Sequence, residues 1–259
     1  MTGDSKTTVV IVPGAWHPAS LYDGFVTRLQ EAGYGAVVAA YPSVNSSTPK
    51  TATCEQDAQV VRQQCLSLIE DESKDVLLVC HSYGGIPGGG AAAGLSKKER
   101  VEKGKQGGIL GLVYMSAFVV PEGSSLLTFL GGKHAPYLVP DTPSEGMTIV
   151  SPAIETLFND VDHETAARLS TLLLPHAILA FESPAPSQAW GETAYEGRRA
   201  FLRCLQDHAL PTFVQDMFVQ RSGVAWDVKD VDAGHDSFIS HLNEVCEAVV
   251  GYAGSFQAE

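Results

Sequence analysis

At 259 residues the chain can bury a large core as one α/β domain carrying an insertion, and 44% hydrophobic against 18% charged residues is a globular balance. Acidic residues outnumber basic ones 30 to 17, for a net charge of -13, which argues against nucleic acid, anionic membrane and polyanionic substrates and directs attention to a neutral or weakly polar small molecule.

The opening MTGDSKTTVV has neither a basic region nor a long apolar one, and no apolar run reaches the roughly 18 residues that span a bilayer, so a soluble, cytoplasmic protein is expected. The first half-dozen residues are the only stretch the composition leaves for a disordered tail. TTVVIVPG (7–14) reads as a buried strand, and YDGFVTRLQEAGY (22–34) as an amphipathic helix. YGAVVAAYP (34–42) is a second strand and CEQDAQVVRQQCLSLIED (54–71) a second helix. DVLLVCHS (75–82) runs into the low-complexity GGIPGGGAAAG at 84–94, and GILGLVYMSA (108–117) is a fourth strand. From 121 to 197 the regularity breaks. That proline-rich stretch, with helical pieces such as SPAIETLFNDVDHETAARLSTLLL, is too long for one crossover and reads as a cap over the C-terminal edge of the sheet. RRAFLRCL (198–205) and VAWDVKDV (224–231) are further strands. PTFVQDMFVQRSG between them is a helix with Pro211 at its first position and Gly223 at its stop. Near-continuous apolar strands alternating with helices predict a doubly wound, mostly parallel sheet of about six strands.

The chemistry centres on VLLVCHSYGG. A nucleophile elbow needs a sharp strand-to-helix turn and small neighbours where the next helix closes on the strand. Gly84 and Gly85 follow Ser82, but Cys80 stands where the G-x-S-x-G pattern opens with glycine. On this stretch alone Ser82 is either a nucleophile or a helix cap. Gly88, Gly90 and Ala93 match G-x-G-x-x-A, yet they start too far beyond the strand, and no acidic residue follows at the spacing a ribose requires.

The rest of the chain favours the nucleophile. His235, in VKDVDAGHDSF, directly follows the last strand, and Asp207, in CLQDHALP, follows the fifth, so Ser82, Asp207 and His235 come in that order at the C-terminal ends of three strands. Glu122, after the fourth strand, is the competing acid. Asp230, Asp232 and Asp236 neighbour His235 only along the chain. Gly14 lets the backbone turn so that the Ala15 amide faces the serine beside that of Tyr83, a candidate oxyanion hole. Trp16, Phe118, Leu127 and Phe158 are candidate substrate-lining residues, with Leu126, Phe129, Tyr137 and Leu157 as further apolar wall. His17, His81, His134 and His208 lack metal-ligand spacing, and the five scattered cysteines (Cys54, Cys65, Cys80, Cys204, Cys246) form no C-x-x-C, so neither metal, cofactor nor disulfide framework is expected.

At these residues the chain resembles the α/β-hydrolase family, and within it the small group of plant salicylate-type methyl esterases and hydroxynitrile lyases. PGAWH matches the group's H-G-A-x-H, CHSYGG its G-H-S-x-G-G, QDHALP its acid loop and AGHDSF its histidine loop. The resemblance implies a sheet without the first two strands of larger members and a serine hydrolase of hydrophobic esters, thioesters or lactones. Lyase chemistry on the same triad, or ligand binding without turnover, are the alternatives. In the lyases a lysine follows the histidine and a threonine flanks the oxyanion turn; here those places hold Asp236 and Gly14.

Overall fold

The computed structural model describes residues 7–258; the tail and leader expectations for residues 1–6 fall outside them. Among the described residues nine strands form two sheets: β1 Thr7–Val12, β2 Gly35–Val38, β3 Asp75–His81, β4 Gly108–Met115, β5 Leu138–Pro140, β6 Met147–Val150, β7 His176–Ala177, β8 Arg199–Cys204 and β9 Asp227–Val231. Six of them make a wholly parallel sheet in the order β2-β1-β3-β4-β8-β9, the six predicted from the sequence. β1, β3 and β4 are buried along their full length, as strands covered on both faces must be. β9 departs from that pattern. It is an edge strand with only Val231 buried, and its charged sequence DVKDV guards an open edge while Arg203 of β8 forks onto Asp230 at 2.7 and 3.0 Å.

The helix Cys54–Leu66 starts in a capping box, in which the Thr53 hydroxyl accepts from Gln56 N–H and the Gln56 side chain accepts from Thr53 N–H. It continues as a single wide turn, Ser67–Asp71, where the sequence pattern ran on as one helix. Pro211 is the N-cap and not the first residue of the helix Thr212–Arg221; Gly223, at φ +69°, closes that helix as expected.

Residues 121–197 hold a feature that periodicity did not reveal: a three-stranded antiparallel sheet, β5-β6-β7, beside short helices at Leu126–Phe129, Ala153–Leu157 and His163–Ser170. Strands of two to four residues are too short to show alternation. The segment's Leu126, Leu157, Phe158 and Phe181 join the same apolar core as the main sheet.

Two glycines decide how the helix Gly85–Ala92 packs behind β3. A Cβ on Gly84 would run into the Val12 carbonyl oxygen, and one on Gly88 into Cys80 Sγ. Cys80 is therefore accommodated by the glycine facing it. Its thiol is wholly buried, and desolvation, with Cys65 nearby, raises its pKa well above the usual range, so it is an unreactive packing group. Among the described residues no helix is long and apolar enough to cross a membrane.

Candidate active site

β3 ends at His81, and the chain turns at Ser82 into the following helix with φ of +53°. A serine in the left-handed region costs of order 1 kcal/mol or more and persists only where its surroundings enforce it. The Ser82 carbonyl accepts from Phe118 N–H at 3.1 Å, and Tyr83 is anchored by its hydroxyl to buried Asp57 at 2.6 Å. Ser43 also donates to that carboxylate, from Oγ at 2.6 Å and from N–H at 3.1 Å. Desolvation raises the Asp57 pKa to about 6 despite these bonds. The Tyr83 ring is thus part of the core.

Asp207 and His235 meet across the ends of β8 and β9. His235 Nδ1–H donates to Asp207 Oδ2 at 2.8 Å, with both side chains buried. The remaining valences of the carboxylate are filled: Leu210 N–H donates to Oδ1 at 2.7 Å, and the Ser116 hydroxyl donates to Oδ2. Burial opposes protonation of His235, but the charge and hydrogen bond of Asp207, with the charge of Asp236, outweigh it and hold the imidazole above its usual range. Glu122, the competing acid, accepts from Ser187 Oγ at 2.9 Å in an exposed contact. The structure therefore joins Asp207, and not Glu122, to His235.

Ser116 was missed by sequence reasoning. It follows the last residue of β4, at φ +42°, and its Oγ lies 3.5 Å from His235 Nδ1 as well as on Asp207. Its signal was the one that found Asp207 and His235, a polar residue just past the C-terminal end of a central strand.

Ser82 and His235 open onto one cavity of about 390 Å³. Ala15, Trp16 and His17 line it after β1, Phe118, Leu126, Leu127, Leu130, Leu157, Phe181 and Val214 add apolar wall, and Lys133, His134 and His208 are further charged or titratable side chains in the lining. Of the residues expected to line a substrate site, Trp16, Phe118 and Leu127 line this cavity. Phe158 is absent from the lining: it is fully buried in the core, and its neighbour Leu157 faces the cavity instead. Trp16 is held at φ +66°, its indole N–H shared between Thr148 O and Oγ1 at 3.2 and 3.1 Å, which fastens the turn after β1 to β6.

His17, His81 and Asp236, far apart in sequence, offer atoms within 4.8 Å of one another. All are buried and already hydrogen-bonded: His17 to Ala15 O and Asp236, His81 to Tyr22 and the His235 carbonyl. Asp236 thus faces His17 rather than the cavity.

A serine on a strained turn between β3 and a glycine-rich helix, with a carboxylate-bound histidine over the same cavity, matches what comparison finds. A family model described as "Alpha/beta hydrolase family" matches residues 9–248. The chain belongs to the alpha/beta hydrolase family. It is 32% identical over 252 residues to the alpha/beta hydrolase nvfD of Aspergillus novofumigatus, covering 96% of this chain and 97% of that one. Among solved structures it is similar to a pyrethroid hydrolase from Sphingobium faniae (TM-score 0.74, 17% identity, 96% and 97% of the two chains covered). It is also similar to polyneuridine aldehyde esterase (TM-score 0.73, 20% identity, 95% and 99% covered). These likenesses agree with the resemblance read from the motifs.

Proposed function

We propose that this alpha/beta hydrolase cleaves a small to medium hydrophobic carboxylic ester, thioester or lactone through an acyl-serine intermediate. The observation that carries the reading is the Asp207–His235 contact at 2.8 Å, which fixes the His235 proton on Nδ1 and leaves Nε2 as the base, above a cavity that also exposes Ser82. His235 Nε2 takes the proton of Ser82 Oγ as the oxygen attacks the acyl carbon, then delivers it to the departing alcohol, thiol or ring oxygen. Water, deprotonated by the same nitrogen, releases the acid and restores the serine. The amides of Ala15 and Tyr83 stabilise the oxyanion formed in each step. Residues 121–197 act as a cap, since most of the apolar wall comes from them. Trp16, Phe118 and, from the cap, Leu127 are the contacts that select the substrate; a hydrophobic small molecule is the partner that such a lining fits.

Hydrolysis is favoured over cyanohydrin cleavage because the place after the histidine, where the lyases carry a lysine, holds Asp236, which is turned onto His17 and brings no cation beside His235. A fluorophosphonate probe should add once to wild-type protein and not to Ser82→Ala, with ester turnover lost in parallel. Folded wild-type protein that takes no adduct at Ser82 would leave a ligand-binding protein on a hydrolase scaffold, and cyanide release from mandelonitrile with every ester untouched would assign a lyase.

A further inference from the structure

Two buried hydrogen-bond threads tie the turn after β1 to the loop that carries His235. In the first, Gly14 N–H donates to the Tyr22 hydroxyl oxygen at 3.0 Å, the Tyr22 O–H donates to His81 Nδ1 at 2.8 Å, and His81 Nε2–H donates to the His235 carbonyl at 3.1 Å. In the second, His17 Nδ1–H donates to the Ala15 carbonyl at 2.6 Å, while its Nε2 sits 3.0 and 3.1 Å from the two carboxylate oxygens of Asp236. Consecutive residues of the turn, 14 and 15, are thereby joined to consecutive residues of the loop, 235 and 236.

The directions are chemically forced. A carbonyl only accepts, so His81 must carry its proton on Nε2 and accept at Nδ1. Burial, with the imidazoles of His235 and His17 nearby, holds His81 well below its usual range and keeps the neutral form this requires. His17 Nδ1 donates to a carbonyl, which leaves its Nε2 facing the carboxylate of Asp236. That contact gives a fully buried carboxylate its partner beside the active site. Besides His17, the groups around Asp236 are His81 at 3.6 Å, His235, Tyr22 and Cys204. Tyr22, His81 and Asp236 are not among the residues lining the cavity.

We propose that Tyr22, His81 and the His17–Asp236 pair are positioning residues that set the distance between the Ala15 amide and the His235 imidazole, so that oxyanion donor and base hold one geometry. The inference rests on the reading of Ser82 and His235 as the reacting pair. A misplacement of about 1 Å between reacting groups can cost on the order of a hundredfold in rate. With two parallel threads, loss of either leaves the other in place.

The test compares wild type with Tyr22→Phe, Asp236→Asn and the double variant, all near-isosteric, in kcat and KM for an aryl ester and in the rate of Ser82 phosphonylation. Each single change should lower kcat and labelling by about tenfold with KM within about twofold, and the double should lose more than the product of the two. Asp236→Asn should also move the acid limb of kcat/KM to lower pH, because it deletes a charge that raises His235, whereas Tyr22→Phe should leave the limb in place. A merely structural role would not produce that split. Unlabelled wild type refutes the Ser82 reading and this one with it. Labelled wild type with unchanged kcat in both singles, or with losses confined to KM, overturns the threads alone, as does a double variant no worse than the product. Should the double not fold, the kcat and pH results of the singles decide.

Discussion

Asp207→Asn is the sharpest probe of the proposed mechanism, because the structure dictates how the new amide must sit. Asp207 Oδ1 receives Leu210 N–H at 2.7 Å, so the asparagine oxygen stays there and its NH₂ takes the place of Oδ2, facing Ser116 and His235 Nδ1. The Ser116 hydroxyl rotates to accept. His235 has no such freedom: its Nδ1 must now accept, which moves the ring proton to Nε2 and leaves no lone pair for the serine proton. The same substitution lowers turnover about ten-thousandfold in serine proteases, which is about 5 kcal/mol of transition-state stabilisation at roughly 1.4 kcal/mol per decade. Residual activity should also show its acid limb at lower pH, since Asp207 provides the leading influence that raises His235 against the opposing effect of burial. The assay is kcat/KM for an aryl ester from pH 5 to 9, with Glu122→Gln as the comparison. Wild-type rates are expected for Glu122→Gln, whose carboxylate meets only Ser187 among the hydrogen bonds found. Asp207→Asn retaining activity within tenfold of wild type, with Glu122→Gln inactive, would refute the assignment of the acid.

In wild type the neutral imidazole is the working form and His235 is raised, so kcat/KM should climb with pH through a midpoint above the ordinary histidine value of about 6.5; a midpoint clearly below it contradicts the Asp207 contact. Leu127→Ala, in the cavity wall, should shift preference between short and bulky esters, whereas Phe158→Ala, in the core, should lower stability by about 3–5 kcal/mol and leave selectivity alone; an ester panel and urea melts separate the two. Gly88→Ala should destabilise by about 1–3 kcal/mol through overlap with Cys80 Sγ, and adding Cys80→Ala should restore much of the loss; strictly additive urea midpoints would show that the two do not meet.

The sequence alone was sufficient to place the six parallel strands along the chain and to single out the three chemically telling residues. Buried strands must be apolar along their length and helices on their faces must repeat every three to four residues, so β1, β3 and β4 announce themselves, and Ser82, Asp207 and His235 stand out as polar residues just past strand ends. Hydrogen bonds across the chain leave no such periodic trace. Which acid reaches His235, that Ser116 joins them, that Leu157 rather than Phe158 faces the cavity, and that Gly88 makes room for Cys80 are all decided by where separate elements meet. Asp236 shows the difference most clearly. Beside the histidine in sequence it reads as a charge opposing an anionic leaving group, but the fold turns it onto His17, 219 residues away along the chain, because a carboxylate buried at this depth must find a proton donor.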